Sequence, residues 1–127
     1  MAIDVQKQIS YWRSGAEEDL AAARALLEKG HLRHALFFAH LGMEKMLKAH
    51  VTRETRSIPP RIHNLVRLAE IARLPLSPEQ RVSLRQFDIY QSEGRYPDSA
   101  QITLDLDTAR ERLSSAEEMV RWLTAQL

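Results

Sequence analysis

Apolar residues recur along the chain at helical spacing, and no segment reads as a strand. Val5, Ile9, Trp12, Ala16, Leu20, Ala23 and Leu27 follow one another at intervals of three or four, which predicts one long amphipathic helix over residues 4–29. Asp4 suits its N-cap, and Gly30 stands where a helix stops in the left-handed conformation. A second helix starts at once, near His31, so the two should form a tight antiparallel hairpin. It runs to about Arg53, and the Ser57-Ile58-Pro59-Pro60 stretch ends it, because tandem prolines remove donors and hold the preceding residues extended.

A short third helix fits residues 64–73, with Leu65, Leu68, Ala69 and Ala72 on one face and Pro75 beyond it. Ser77-Pro78-Glu79-Gln80 is a start signal, with a capping serine, proline at the first helical position and glutamine at the third. The fourth helix continues to about Ser92. Glu93-Gly94-Arg95-Tyr96-Pro97-Asp98 reads as a loop, and a last helix begins near Asp105, where Leu106, Ala109, Leu113, Ala116, Val120 and Leu123 alternate spacings of three and four. These elements predict an all-α, up-and-down bundle of four main helices plus one short helix, folded as a single domain.

The second helix departs from the ordinary pattern. Leu32, Ala35, Leu36, Phe38, Ala39, Gly42, Met43, Met46, Leu47 and Ala49 cover about half of its circumference, more than a surface helix needs. Phe37, Leu41, Glu44 and Lys48 share a stripe on the other half, so this helix should be covered on two sides. Four of the five histidines lie between residues 31 and 50, but no second helix carries a matching Glu-x-x-His, which argues against a metal site. His50 projects toward the apolar face and suits a core histidine bonded to backbone.

Composition narrows the classes. The chain has 127 residues, a formal net charge of +1 and no cysteine, so neither disulfides, thiolate metal sites nor a cysteine nucleophile are available. No apolar stretch approaches the length of a membrane span, and the N-terminus lacks a signal-peptide pattern, which together predict a soluble, cytoplasmic protein. Charge is nonetheless uneven: Arg53, Arg56, Arg61, Arg67 and Arg73 stand against only Glu54 and Glu70, with His63 among them. An anionic partner should meet that region first. On the fourth helix Arg81, Arg85, Asp88 and Ser92 form one polar stripe, either a solvated face with an Arg85–Asp88 ion pair or a phosphate or RNA contact in which Asp88 orients an arginine. In the following loop, Arg95 and Tyr96 adjoin a glycine that lets backbone approach a ligand.

Taken in order, several of these pieces resemble the HEPN family, the nucleotide-binding domains of higher eukaryotes and prokaryotes. They are Glu18-Asp19-Leu20 with Ala23 and Leu27, Ala35-Leu36-Phe37-Phe38-Ala39, Glu44-Lys45-Met46-Leu47-Lys48-Ala49, His63-Asn64-Leu65 with Leu68, Asp88-Ile89-Tyr90 and Arg95-Tyr96-Pro97-Asp98. The resemblance implies a helical bundle that dimerises, needs no cofactor, and is often encoded beside a minimal nucleotidyltransferase as a toxin–antitoxin pair.

Many family members are metal-independent ribonucleases with an Arg-x(4–6)-His motif late in the bundle. Here no histidine follows His63, and Arg81 or Arg85 followed by Asp88-Ile89-Tyr90 stands in that region. The resemblance therefore implies either a nucleotide- or RNA-binding module working with a separate nucleotidyltransferase or a ribonuclease with a degenerate Arg85, Asp88 and Tyr90 site; the residues alone also fit a non-catalytic helical interaction protein whose charged stripes are solvated. For the first, the binding residues would be Lys48, His63, Arg81, Arg95 and Tyr96, and either Tyr90 or Tyr96 would be the tyrosine that the partner enzyme adenylylates.

Overall fold

A computed structural model describes residues 3–95 and 104–127, with the side chains of 92–95 left out. Five helices follow in order: α1 (Val5–Glu28), α2 (Leu32–Thr55), α3 (Leu65–Ile71), α4 (Pro78–Arg95) and α5 (Leu106–Gln126). Among the described residues there is no strand.

Local chemistry sets most of the boundaries. Asp4 and Asp105 accept the Lys7 and Thr108 amides at 3.0 and 2.7 Å and so cap α1 and α5. Ser77 and Gln80 exchange bonds between side chain and backbone at 3.1 and 2.9 Å, a complete capping box for α4. Gly30 has φ +84°, and the His31 amide reaches back to the Leu26 carbonyl at 2.9 Å, closing the α1–α2 hairpin.

Two ends differ from the sequence expectation. α4 does not stop near Ser92 but runs through Gly94 to Arg95, since one glycine in a last turn costs only about 1 kcal/mol. α3 ends earlier, at Ile71, with Arg73 turned left-handed (φ 56°) ahead of Pro75.

α2 is the centre of the bundle. It touches each of the other four helices, and fourteen of its 24 residues are buried, which is why its apolar arc is so wide. Leu36, Met43, Met46 and Leu47 are fully enclosed together with Leu65, Leu84, Phe87, Leu113 and Leu123. His50 packs in this core, and its Nε2–H donates to the Leu123 carbonyl at 2.7 Å, the backbone bond expected of it. No described helix is long and apolar enough to cross a membrane.

Candidate functional site

On one side of α2 the core is polar. His40, Glu44 and Lys48 stand one turn apart at i, i+4 and i+8, and all three are buried, with relative exposures of 0, 4 and 6%. Buried charge survives only when it is matched and hydrogen-bonded, so the partners define the site. Lys48 Nζ donates to Glu44 Oε2 at 3.0 Å and lies 5.4 Å from the centroid of the Trp12 ring on α1. The other carboxylate oxygen, Oε1, is 2.9 Å from His63 Nδ1, on the connection that the prolines turn back toward α2. A carboxylate matched by an ammonium is an acceptor only, so His63 donates from Nδ1.

Asp88 of α4 completes the cluster. Its Oδ1 lies 3.0 Å from His40 Nε2 and accepts the Leu65 amide, in the first residue of α3, at 3.2 Å. His40 therefore donates from Nε2, and its Nδ1, 3.8 Å from Glu44 Oε1, has no hydrogen-bond partner among the described residues. One connected set of contacts thus joins α1, α2, α3 and α4 through Trp12, Lys48, Glu44, His63, His40 and Asp88.

Beside this cluster opens a cleft of about 400 Å³ lined by Ile62, Asn64, Val66, Arg67, Glu70, Arg85 and Asp88. The lining combines apolar Ile62 and Val66 with two arginines and two acids, and His63 stands in sequence between two of the lining residues. Arg85 is exposed and makes no ion pair with a described residue. Arg67 and Arg81 both lean toward Glu70, at 3.9 and 3.7 Å, distances too long for strong bonds at exposed positions. Among the described residues no group of three histidines or acids is arranged to hold a metal ion.

The residues singled out in the sequence separate accordingly. Arg85 and Asp88 line the cleft, and Arg81 borders it through Glu70. Among the described residues the Arg85–Asp88 ion pair, one of the two readings of the α4 stripe, does not form; Asp88 Oδ1 is held instead by His40 and the Leu65 amide. Lys48 does not reach the surface; it lies behind Glu44, as the two-sided covering of α2 requires. Tyr90 is 8% exposed and packs edge-on against Phe87, with ring centroids 5.3 Å apart. Arg95 closes α4 with its side chain undescribed, and Tyr96 lies outside the described residues.

Sequence reasoning missed Trp12 and His40 as parts of this neighbourhood; Arg67 lay within the basic segment and Asn64 beside His63, but neither was singled out. The Glu44–Lys48 stripe was the signal for the cluster, but nothing local in sequence shows which distant side chains cover it.

The HEPN domain model matches residues 9–126. The chain belongs to the HEPN family. This HEPN chain is similar in structure to TT1696 from Thermus thermophilus, with a TM-score of 0.80 and 22% identity over 94% of this chain and 98% of that one. It is also similar to ST0689, an archaeal HEPN homologue, with a TM-score of 0.65 and 22% identity over 93% and 96% of the two chains. No curated protein matches it. At these identities the neighbours speak for the helical fold.

Proposed function

We propose that this HEPN domain is a nucleotide- or RNA-binding module that works with a separate nucleotidyltransferase in a toxin–antitoxin-like pair. The cleft carries the reading. It brings together Arg85, which has no ion pair among the described residues, the loosely held Arg67, and apolar Ile62 and Val66, a combination suited to a phosphate joined to a base or sugar. Arg81, which meets Glu70 at the edge of the cleft, belongs to the same proposed surface, and Arg95 and Tyr96 are proposed for it from sequence alone.

The same α4 face supports a homodimer as the working form. Val82 and Ile89 are 49 and 43% exposed, one heptad apart, and flank Arg85, an apolar and charged combination that suits a second copy of the chain. The ribonuclease alternative has less support, since Asp88 Oδ1 holds His40 and the Leu65 amide in place and no histidine stands on α4.

Fluorescence anisotropy with a labelled single-stranded RNA tests the reading. Arg85→Ala and Arg67→Ala should each weaken binding several-fold and flatten its salt dependence by about one counterion. If both variants bind as the parent does at equal ionic strength, the cleft is not the binding surface.

A further inference from the structure

The outer stripe of α1 carries a charge pattern that the bundle itself leaves largely unused. Arg13, Glu17, Leu20, Ala21, Arg24 and Glu28 fall within about 100° of the helix circumference. Followed forward from Arg13 the charges run plus, minus, plus, minus on either side of an apolar centre; followed backward from Glu28, every sign is opposite. Such a stripe is complementary to a second copy of itself running antiparallel. With a two-fold axis between Leu20 and Ala21, Arg13 meets Glu28 and Glu17 meets Arg24, each pair occurring twice. Within the chain, Arg13 and Glu17 stand 3.4 Å apart with side chains 50 and 61% exposed, a pair worth little. Glu28 is exposed and makes no ion pair with a described residue.

The same stripe is one wall of an apolar groove. α1 packs along α2 but touches α5 only lightly, and between α1 and α5 opens a space of about 740 Å³, with Leu20 and Ala21 on one side and Val120, Thr124 and Ala125 on the other. Arg24 closes one end by directing Nε and Nη2 to the two Glu117 carboxylate oxygens, which leaves Nη1 for a second acid. Ala21 is exposed, and a residue of that size lets a neighbouring helix approach closely.

From this complementarity we propose that α1 docks antiparallel on α1 of a second copy, across the α1–α5 groove. The contact is separate from the α4 face and does not depend on nucleic-acid binding. Leu20 and Ala21 of the two copies meet at the centre beside Val120, and the four ion pairs set direction and register. Two copies joined at α4 would thereby join further copies through α1.

The chain has no cysteine, so single introduced thiols read the register directly. Ala21→Cys stands beside the axis and should form an intermolecular disulfide under mild oxidation. Ala25→Cys, also exposed on α1, would lie about 13 Å along the helices from its mate and should not, since a disulfide needs Cα atoms within about 7 Å.

Sedimentation equilibrium tests the charges, in a Val82→Asp/Ile89→Asp background that removes the exposed apolar pair of α4. This protein should still dimerise, and more weakly as salt is raised. Arg13→Glu or Glu28→Arg alone turns two attractive pairs repulsive and should raise the dimer dissociation constant about tenfold. The two together should restore it. Within one chain these residues lie about 22 Å apart along α1, so rescue can come only from a second copy.

A monomeric Val82→Asp/Ile89→Asp protein overturns the proposal, as does a dimer indifferent to Arg13→Glu or a double reversal no better than the worse single one. Cross-linking of Ala25→Cys as fast as Ala21→Cys overturns it too. The thiol variants are made in the parent, so they report even if the α4 background folds poorly. None of the substitutions touches a residue lining the cleft, so failure here and failure of RNA binding are read separately.

Discussion

Removing the Lys48 ammonium alone should cost this fold more than removing Lys48 and Glu44 together. The two side chains are 8 and 6% exposed and 3.0 Å apart, so water contributes little to either charge. In Lys48→Met the new side chain can follow the old stem over Trp12, but the Glu44 carboxylate keeps only His63 as a donor and loses its counter-charge. Breaking one half of a buried pair in this way costs about 3–5 kcal/mol. For a chain of 127 residues an unfolding entropy of about 2.1 cal/mol/K per residue converts this to a fall in Tm of roughly 11–19 °C. In the double variant Lys48→Met/Glu44→Leu no charge is left behind. There His63 Nδ1 turns to water at a cost of about 0.5–1.5 kcal/mol. Urea unfolding followed by circular dichroism should therefore rank the double variant above the single one by about 2 kcal/mol. A single variant within 1 kcal/mol of the parent, or a double variant less stable than the single, would refute the reasoning.

Two further outcomes follow from the packing of α2. At Gly42 an added Cβ would meet Leu20 Cγ at 2.9 Å and the Ala16 carbonyl oxygen at 3.3 Å, so Gly42→Ala should lose about 1–3 kcal/mol to overpacking. At Gly15 the nearest atom is Lys45 Cδ at 3.0 Å, part of a flexible side chain, so Gly15→Ala should be neutral or gain up to about 1 kcal/mol of helix propensity; paired melting curves that show the two equal would sink the distinction. Burial holds the His50 pKa below its ordinary 6.5, against the opposing pull of the Leu123 bond. The unfolded chain then binds the proton first, and stability drains as pH falls below about 6.5, by at most about 1.4 kcal/mol per pH unit. The urea midpoint of the parent should thus drop more between pH 7 and 5 than that of His50→Gln, and parallel pH slopes would remove His50 from the account.

How far the sequence carried the structure depended on the range of each interaction. Helix positions were legible because spacings of three and four are local, and so were the caps at Asp4 and Ser77, whose partners lie three residues away. His50 was legible too, since an apolar face leaves a histidine little but backbone to bond. Asp88 was not. Its nearest sequence partner is Arg85, but its Oδ1 is held by His40, 48 residues earlier, and by the Leu65 amide. A contact made in the low-dielectric interior outweighs a surface ion pair worth a few tenths of a kcal/mol, and sequence spacing carries no sign of it. Lys48 misled for the same reason, since its charge suggested a ligand while Trp12 and Glu44 enclose it.

The acid at position 88 also bears on the family pattern. The resemblance that pointed to HEPN implies a histidine in this part of α4, and Asp88 stands there with His40 beneath it. Asp88 Oδ1 receives two donors at once, the His40 ring and the Leu65 amide, which a neutral imidazole nitrogen with one lone pair does not do. A histidine at 88 would leave one of these donors buried without an acceptor, at about 1–3 kcal/mol. His40 and Asp88 therefore form one choice rather than two: the carboxylate on α4 matches a histidine already committed to the core of α2. The same choice ties the first turn of α3 to α4, and with it the walls of the cleft. In this chain α4 supplies an arginine and a structural acid, and the imidazole that faces solvent comes from the connection before α3, at His63.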